Sequence, residues 1–142
     1  MSSRFRTLRL NRRAIVYGCL TDIGASIVAV VLVGMLASAA SSDPASLRET
    51  TQSAGFVALQ FILGLAATTL GGYVAARRSP RAELTNALAV GVVMTTIAIL
   101  GLVVVGARPD LLGILGIVLT IPVALAGGLV RLSQLERSTA TG

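Results

Sequence analysis

The stretch Ala14–Ala39, AIVYGCLTDIGASIVAVVLVGMLASA, decides the fold: it is apolar throughout except for small hydroxyl residues and one acid, Asp22. A helix rises 1.5 Å per residue, so about 20 apolar residues cross the hydrocarbon of a bilayer. This run is long enough to span, and three more of the same kind follow at 54–76, 82–106 and 111–131. The chain therefore reads as an all-α integral membrane four-helix bundle. The remaining segments are a basic arm (1–13), a polar loop (41–53), a basic turn (77–81), a tight turn (107–110) and a tail (132–142). None of them is long enough to form a second domain.

The composition agrees with this reading. Of 142 residues, 54% are apolar and only 13% are charged, with a mean hydropathy of +0.85, too few charges to clothe a water-soluble domain. The net charge of +6 comes from arginine alone, since lysine is absent. Ten of the twelve arginines lie in the arm, the 77–81 turn and the end of the chain, among them Arg12, Arg13, Arg77, Arg78, Arg81, Arg131 and Arg137; Arg48 and Arg108 lie on the other side. Basic residues near helix ends are retained in the cytoplasm on insertion, which predicts cytoplasmic N and C termini. Tyr17 and Tyr73, one turn inside basic clusters, suit the same interface.

The arm and Ala37-Ser38-Ala39 imitate a secretory signal with its cleavage site. The apolar run is longer than a signal core and contains an acid, so it reads as a retained helix. The arginines also do not read as a nucleic-acid surface, because they are spread over three segments with no interleaved aromatics beyond Phe5. Arg12, Arg13, Arg77, Arg78 and Arg81 are expected to mark topology and meet anionic headgroups, with the lipid bilayer as partner.

In lipid, helices associate through close backbone approach, and small residues permit it. Each predicted helix carries such a stripe at spacings of three or four: Gly18, Asp22, Ala25 and Ala29; Gly64, Ala67, Gly71 and Ala75; Ala87, Gly91 and Thr95; Gly116, Thr120, Ala124 and Gly128. Such faces suit a tight bundle or a homo-oligomer equally. Pro122 is expected to kink the last helix, with Thr120 assisting the carbonyl freed near Val118. Leu20-Thr21-Asp22 is echoed by Leu84-Thr85-Asn86, and Gly71-Gly72-Tyr73-Val74 by Gly127-Gly128-Leu129-Val130, the pattern of a duplicated two-helix hairpin.

Asp22 carries the most chemical content. It lies nine residues beyond Arg13, roughly 13 Å into the first helix, where an ionised acid is costly. It is expected to face the interior and to pair with Asn86, Thr85, Thr21, Ser26, a tyrosine or Arg77, or to hold a proton. Gln60 reads as an interhelical tie. Ser79, Pro80 and Glu83 read as the start of the third helix, the serine capping it.

Enzyme chemistry lacks its parts: there is no histidine, a single cysteine (Cys19), no paired acids for a metal, and no phosphate-binding glycine loop. No catalytic residue, metal or cofactor is expected.

The segments T-D-I-G-A-S (21–26), G-G-Y-V-A-A-R (71–77) and R-A-E-L-T-N-A-L (81–88) resemble small uncharacterised four-helix bacterial membrane proteins, over about Thr21–Gly91. The resemblance implies a multi-pass protein of a bacterial inner membrane and brings no activity with it. Two functions fit the residues, the first being the expectation and the second its alternative. One is an accessory or scaffolding protein whose partner is another membrane protein, favoured by the small-residue faces and short loops. The other is a small oligomeric ion-coupled transporter or channel built around Asp22.

Overall fold

The computed structural model describes residues 10–106 and 108–140. Arg4, Phe5, Arg6 and Arg9 of the arm lie outside them. The described chain is α1 (Arg12–Ala40), α2 (Pro44–Gln52), α3 (Ala54–Arg77), α4 (Glu83–Val105) and α5 (Leu111–Ala140). Four of these, α1, α3, α4 and α5, are long and apolar enough to cross a membrane.

Helix ends follow local chemistry more closely than hydropathy. α1 begins at Arg12, inside the expected arm, because Asn11 caps it by accepting the Ala14 N–H at 3.3 Å. The polar loop is not all loop: Asp43, with Pro44 in the first turn and Ser46 closing a capping box, starts the short helix α2. α5 runs nine residues past its expected end at Arg131. A fall in hydropathy does not stop a helix when no glycine or proline follows, and Tyr73 Oη, donating to Gln134 Oε1 at 3.0 Å, fastens this extension to α3.

The start of α4 corrects an expectation. Ser79 caps nothing there: it is buried and donates to the Ala75 carbonyl at 2.7 Å, closing α3. The residue before α4 is Ala82, which makes no side-chain cap. Arg81 sits in the left-handed region at φ 76°, and Glu83 Oε1 accepts its N–H at 3.0 Å, holding that turn.

The bundle is built inside out relative to a water-soluble one. Its buried apolar side chains are Ala14, Val33, Ala37, Ala67, Ala75, Ala76, Ala87, Val90 and Ala124, seven of the nine being alanine. The large ones, including Leu20, Ile27, Leu32, Ile62, Leu100 and Val118, point outward over the whole length of the helices. In water that exterior would aggregate; in hydrocarbon it is already solvated, and small residues are left to make the helix contacts. The protein is a multi-pass membrane protein.

α3 lies against α1, α4 and α5, and α4 bridges α1 and α5. The closest approach is between α3 and α5, and it is reciprocal. A Cβ on Gly72 would strike the Ala124 carbonyl, and one on Gly127 would strike the Thr69 carbonyl, each three residues before the other's glycine. Gly71, next in line, faces α1, with Gly18 O 2.9 Å from where its Cβ would be; Gly128 faces Ala87 of α4. Gly18 and Gly91 are filled from neighbouring helices in the same way. Gly64 has nothing within 4 Å, and Gly116 meets only Phe61, at 3.6 Å, so these two stripe positions do not seat a helix. Ala25 is half-buried.

That difference has a position. The buried residues of α3, α4 and α5 all lie toward the arginine-rich end, between Ala67 and Ala76, Asn86 and Gly91, and Ala124 and Gly128. Toward the opposite end these three helices bury nothing. Burial in these three helices is thus concentrated at the arginine-rich, closed end, while α1 also buries Val33 and Ala37 toward the other, where α2 packs against α1 and α3.

Pro122 is accommodated inside α5. Thr120 donates to the Gly116 carbonyl at 2.8 Å, not to the one near Val118, because a threonine hydroxyl reaches the carbonyl one turn before it.

Candidate functional site

At the inner limit of the closed half stands Asp22, ten residues into α1, about 15 Å along the helix. It is 1% exposed. Its partners are Ser26 Oγ, one turn on, and Thr68 Oγ1 from α3, both donating to Oδ1 at 3.4 Å. These are long bonds, and both fall on one oxygen. The other oxygen, Oδ2, is buried with no hydrogen-bond partner among the described residues. Thr95 Oγ1 is likewise buried and unpartnered. Of the two, Asp22 lines the cavity described next.

That cavity, about 260 Å³, is walled by all four long helices: Asp22 and Ser26 of α1, Thr68 to Gln60 of α3, Met94 and Ala98 of α4, and Gly116 and Thr120 of α5. From Thr68 to Gln60 is eight residues, so it runs about 12 Å along α3 toward the arginine-poor end, where Gln60 is exposed. Gly64 and Gly116 explain themselves here, since the missing side chains leave the space. Below Asp22 the passage is shut by Gly18, Gly71, Ala75 and Val90, in contact across three helices.

The expected residues divide. Asp22, Ser26 and Gln60 share the cavity, although Gln60 bonds to no other described residue and so is no interhelical tie. Asn86, Thr85 and Thr21 do not reach Asp22. Asn86 is three residues into α4, near the arginine-rich end, and is fully buried. Its Oδ1 accepts the Asn11 N–H at 2.8 Å while its Nδ2 donates to Ala82 O at 2.8 Å. It ties the start of α1 to the start of α4. Thr21 turns back to the Tyr17 carbonyl at 2.8 Å. Thr85 is half-buried, a residue before Asn86 and at the same shallow depth. Arg77 is exposed, and Tyr17 lies under the Arg78 guanidinium, 3.7 Å from its ring centre.

Thr68 is the partner that sequence reasoning missed. The signal was present: it stands four residues after Gly64 and three before Gly71, on the inward face of the second membrane helix.

Arg12, Arg13, Arg77, Arg78 and Arg81 are all exposed at one end, as headgroup contacts require. Among the described residues no group of three or more metal-ligating side chains forms. Cys19 is half-buried and unpaired.

No known protein family, curated protein or solved structure matches the chain. The carboxyl and its cavity therefore carry the functional reading without help from relatives.

Proposed function

We propose that this is a small ion-coupled transporter or channel of a bacterial inner membrane, both termini cytoplasmic, that takes up a single positive charge at Asp22 from the arginine-poor side. The observation that supports it is Oδ2 of Asp22: a buried carboxylate oxygen with no partner among the described residues, on the wall of a cavity that runs toward the arginine-poor end. An ionised carboxylate within a membrane-spanning helix is costly, and a proton or a cation at this oxygen would offset that cost. The accessory role expected from the packing faces, with another membrane protein or a second copy as partner, gives the cavity-facing carboxyl no task.

The experiment is reconstitution into proteoliposomes with a pH-sensitive dye inside, together with carbodiimide, which modifies protonated carboxyls in apolar surroundings. Wild type should move protons or a cation and should be labelled at Asp22. The Asp22→Asn variant, with unchanged elution on gel filtration, should do neither. A wild type that carries no flux and leaves Asp22 unlabelled returns the protein to the accessory reading.

A further inference from the structure

A second cavity adjoins the first, and it faces lipid. It measures about 320 Å³ and is lined by Ile23, Ser26, Ile27, Val30 and Val31 of α1 and by Met94 of α4. Ile23, Ile27, Val30 and Val31 are exposed on the apolar exterior. Ser26 and Met94 line both spaces. The groove in the hydrocarbon and the chamber holding Asp22 are thus separated by two side chains. One is a small hydroxyl that hydrogen-bonds the carboxyl; the other is an unbranched thioether with three rotatable bonds, the apolar side chain most easily moved aside.

From this we infer that the ligand of Asp22 is an amphiphilic organic cation, which enters sideways from the bilayer between α1 and α4, its charge reaching Asp22 and its apolar body lying in the groove. The inference rests on the proposal that Asp22 takes up positive charge.

The chemistry of the walls selects this class over a metal ion. Hard cations take six or more oxygen ligands, or keep their water. Around Asp22 the chamber offers one carboxylate and the hydroxyls of Ser26 and Thr68; the Thr120 hydroxyl donates to its own helix, the Gln60 amide stands at the mouth about 12 Å along α3 from Thr68, and Phe61, Leu65, Met94 and Ala98 make much of the rest. Stripping a metal ion of water there would be poorly compensated. A quaternary or protonated amine has few or no ligands to replace, and its alkyl groups match an apolar wall with a single charge-bearing point. The groove continues that match, being apolar apart from Ser26.

The test compares tetrabutylammonium with tetramethylammonium, ions of equal charge and different apolar size, binding to the full chain in nanodiscs by equilibrium dialysis. Tetrabutylammonium should bind at least tenfold more tightly, and should protect Asp22 from carbodiimide. Met94→Trp, which fills the shared wall, should cut tetrabutylammonium binding at least tenfold and leave carbodiimide labelling of Asp22 intact. Ile27→Trp, on the lipid-facing rim where bulk is tolerated, serves as the blocker if Met94→Trp does not fold. Equal binding of the two ions, or tetrabutylammonium binding indifferent to the folded blocker, overturns the lateral route while labelling and flux at Asp22 persist. Loss of labelling and flux in wild type overturns the underlying proposal instead.

Discussion

At the scale of single residues, the two buried polar side chains most alike on paper do opposite work. Asp22 and Asn86 close matching Leu-Thr-Asx triplets, yet one sits ten residues inside its helix and the other three. Asn86 spends both ends of its amide, on Asn11 and Ala82. Asp22 leaves half of its carboxyl unspent. Replacing Asn86 by alanine would strip the Asn11 N–H of its acceptor, and we expect a loss of ~1–3 kcal/mol in unfolding free energy, read by steric trapping or a denaturing-detergent titration. Proton or cation flux per folded molecule should not change. If Asn86→Ala abolished flux while keeping stability, Asn86 would belong to the site after all. That Asp22 faces inward was legible from its place on the Gly18–Ala29 stripe. Its partner was not, because a threonine in an apolar helix usually satisfies its hydroxyl on its own backbone, as Thr21, Thr69, Thr96 and Thr120 do here.

Among elements, the α3–α5 crossing sets how closely the bundle shuts. Gly72 and Gly127 lie on the partner helix's carbonyls, so a single methyl at either must push backbone, which has no rotamer to yield. Gly72→Ala is expected to cost ~1–3 kcal/mol, whereas Gly64→Ala, with open space around it, should stay within ~0.5 kcal/mol of wild type. Thermal loss of the monodisperse peak on gel filtration would rank the two, and equal effects would refute the crossing. Small-residue spacing identified the packing faces in general but listed Gly64 and Gly116 with the rest, since a glycine that seats a helix and one that leaves a cavity look the same in sequence. Gly72 was hidden by standing one position off the chosen stripe. The short helix α2 was hidden by its polarity, although its start was written in Asp43-Pro44-Ala45-Ser46. Its cap predicts a pH response. The Ala45 and Ser46 N–H groups bond Asp43 and hold its carboxyl below the ordinary 3.8. The cap is therefore at full strength above 3.8 and is lost as pH falls through the depressed value. Cα chemical shifts of Pro44–Gln52 should move toward coil on such acidification, and Asp43→Ala should show the same shift at neutral pH.

Over the whole molecule, the concentration of burial in α3, α4 and α5 at the arginine-rich end links topology to function. The arginines mark the closed end; in the proposed orientation, with that end in the cytoplasm, the chamber above Asp22 faces outward. Both statements are exposed to one measurement. In a Cys19→Ala background, cysteines are placed at Gln60 at the mouth, Gly64 within the chamber and Ala75 in the closed half, with Ser133→Cys on the extension of α5. A membrane-impermeant maleimide added to intact cells should label position 60 readily and 64 more slowly, since reagent must enter the chamber. Position 75, 0% exposed, should stay unlabelled from either side. Position 133 should react only after the membrane is permeabilised. Labelling of 133 in intact cells would invert the topology and turn the site toward the cytoplasm. Labelling of 75 as fast as 60 would mean that the bundle is open throughout. An aspartate in a continuous water path would need no ligand of its own, so that second result would also remove the physical reason for Asp22 to bind one.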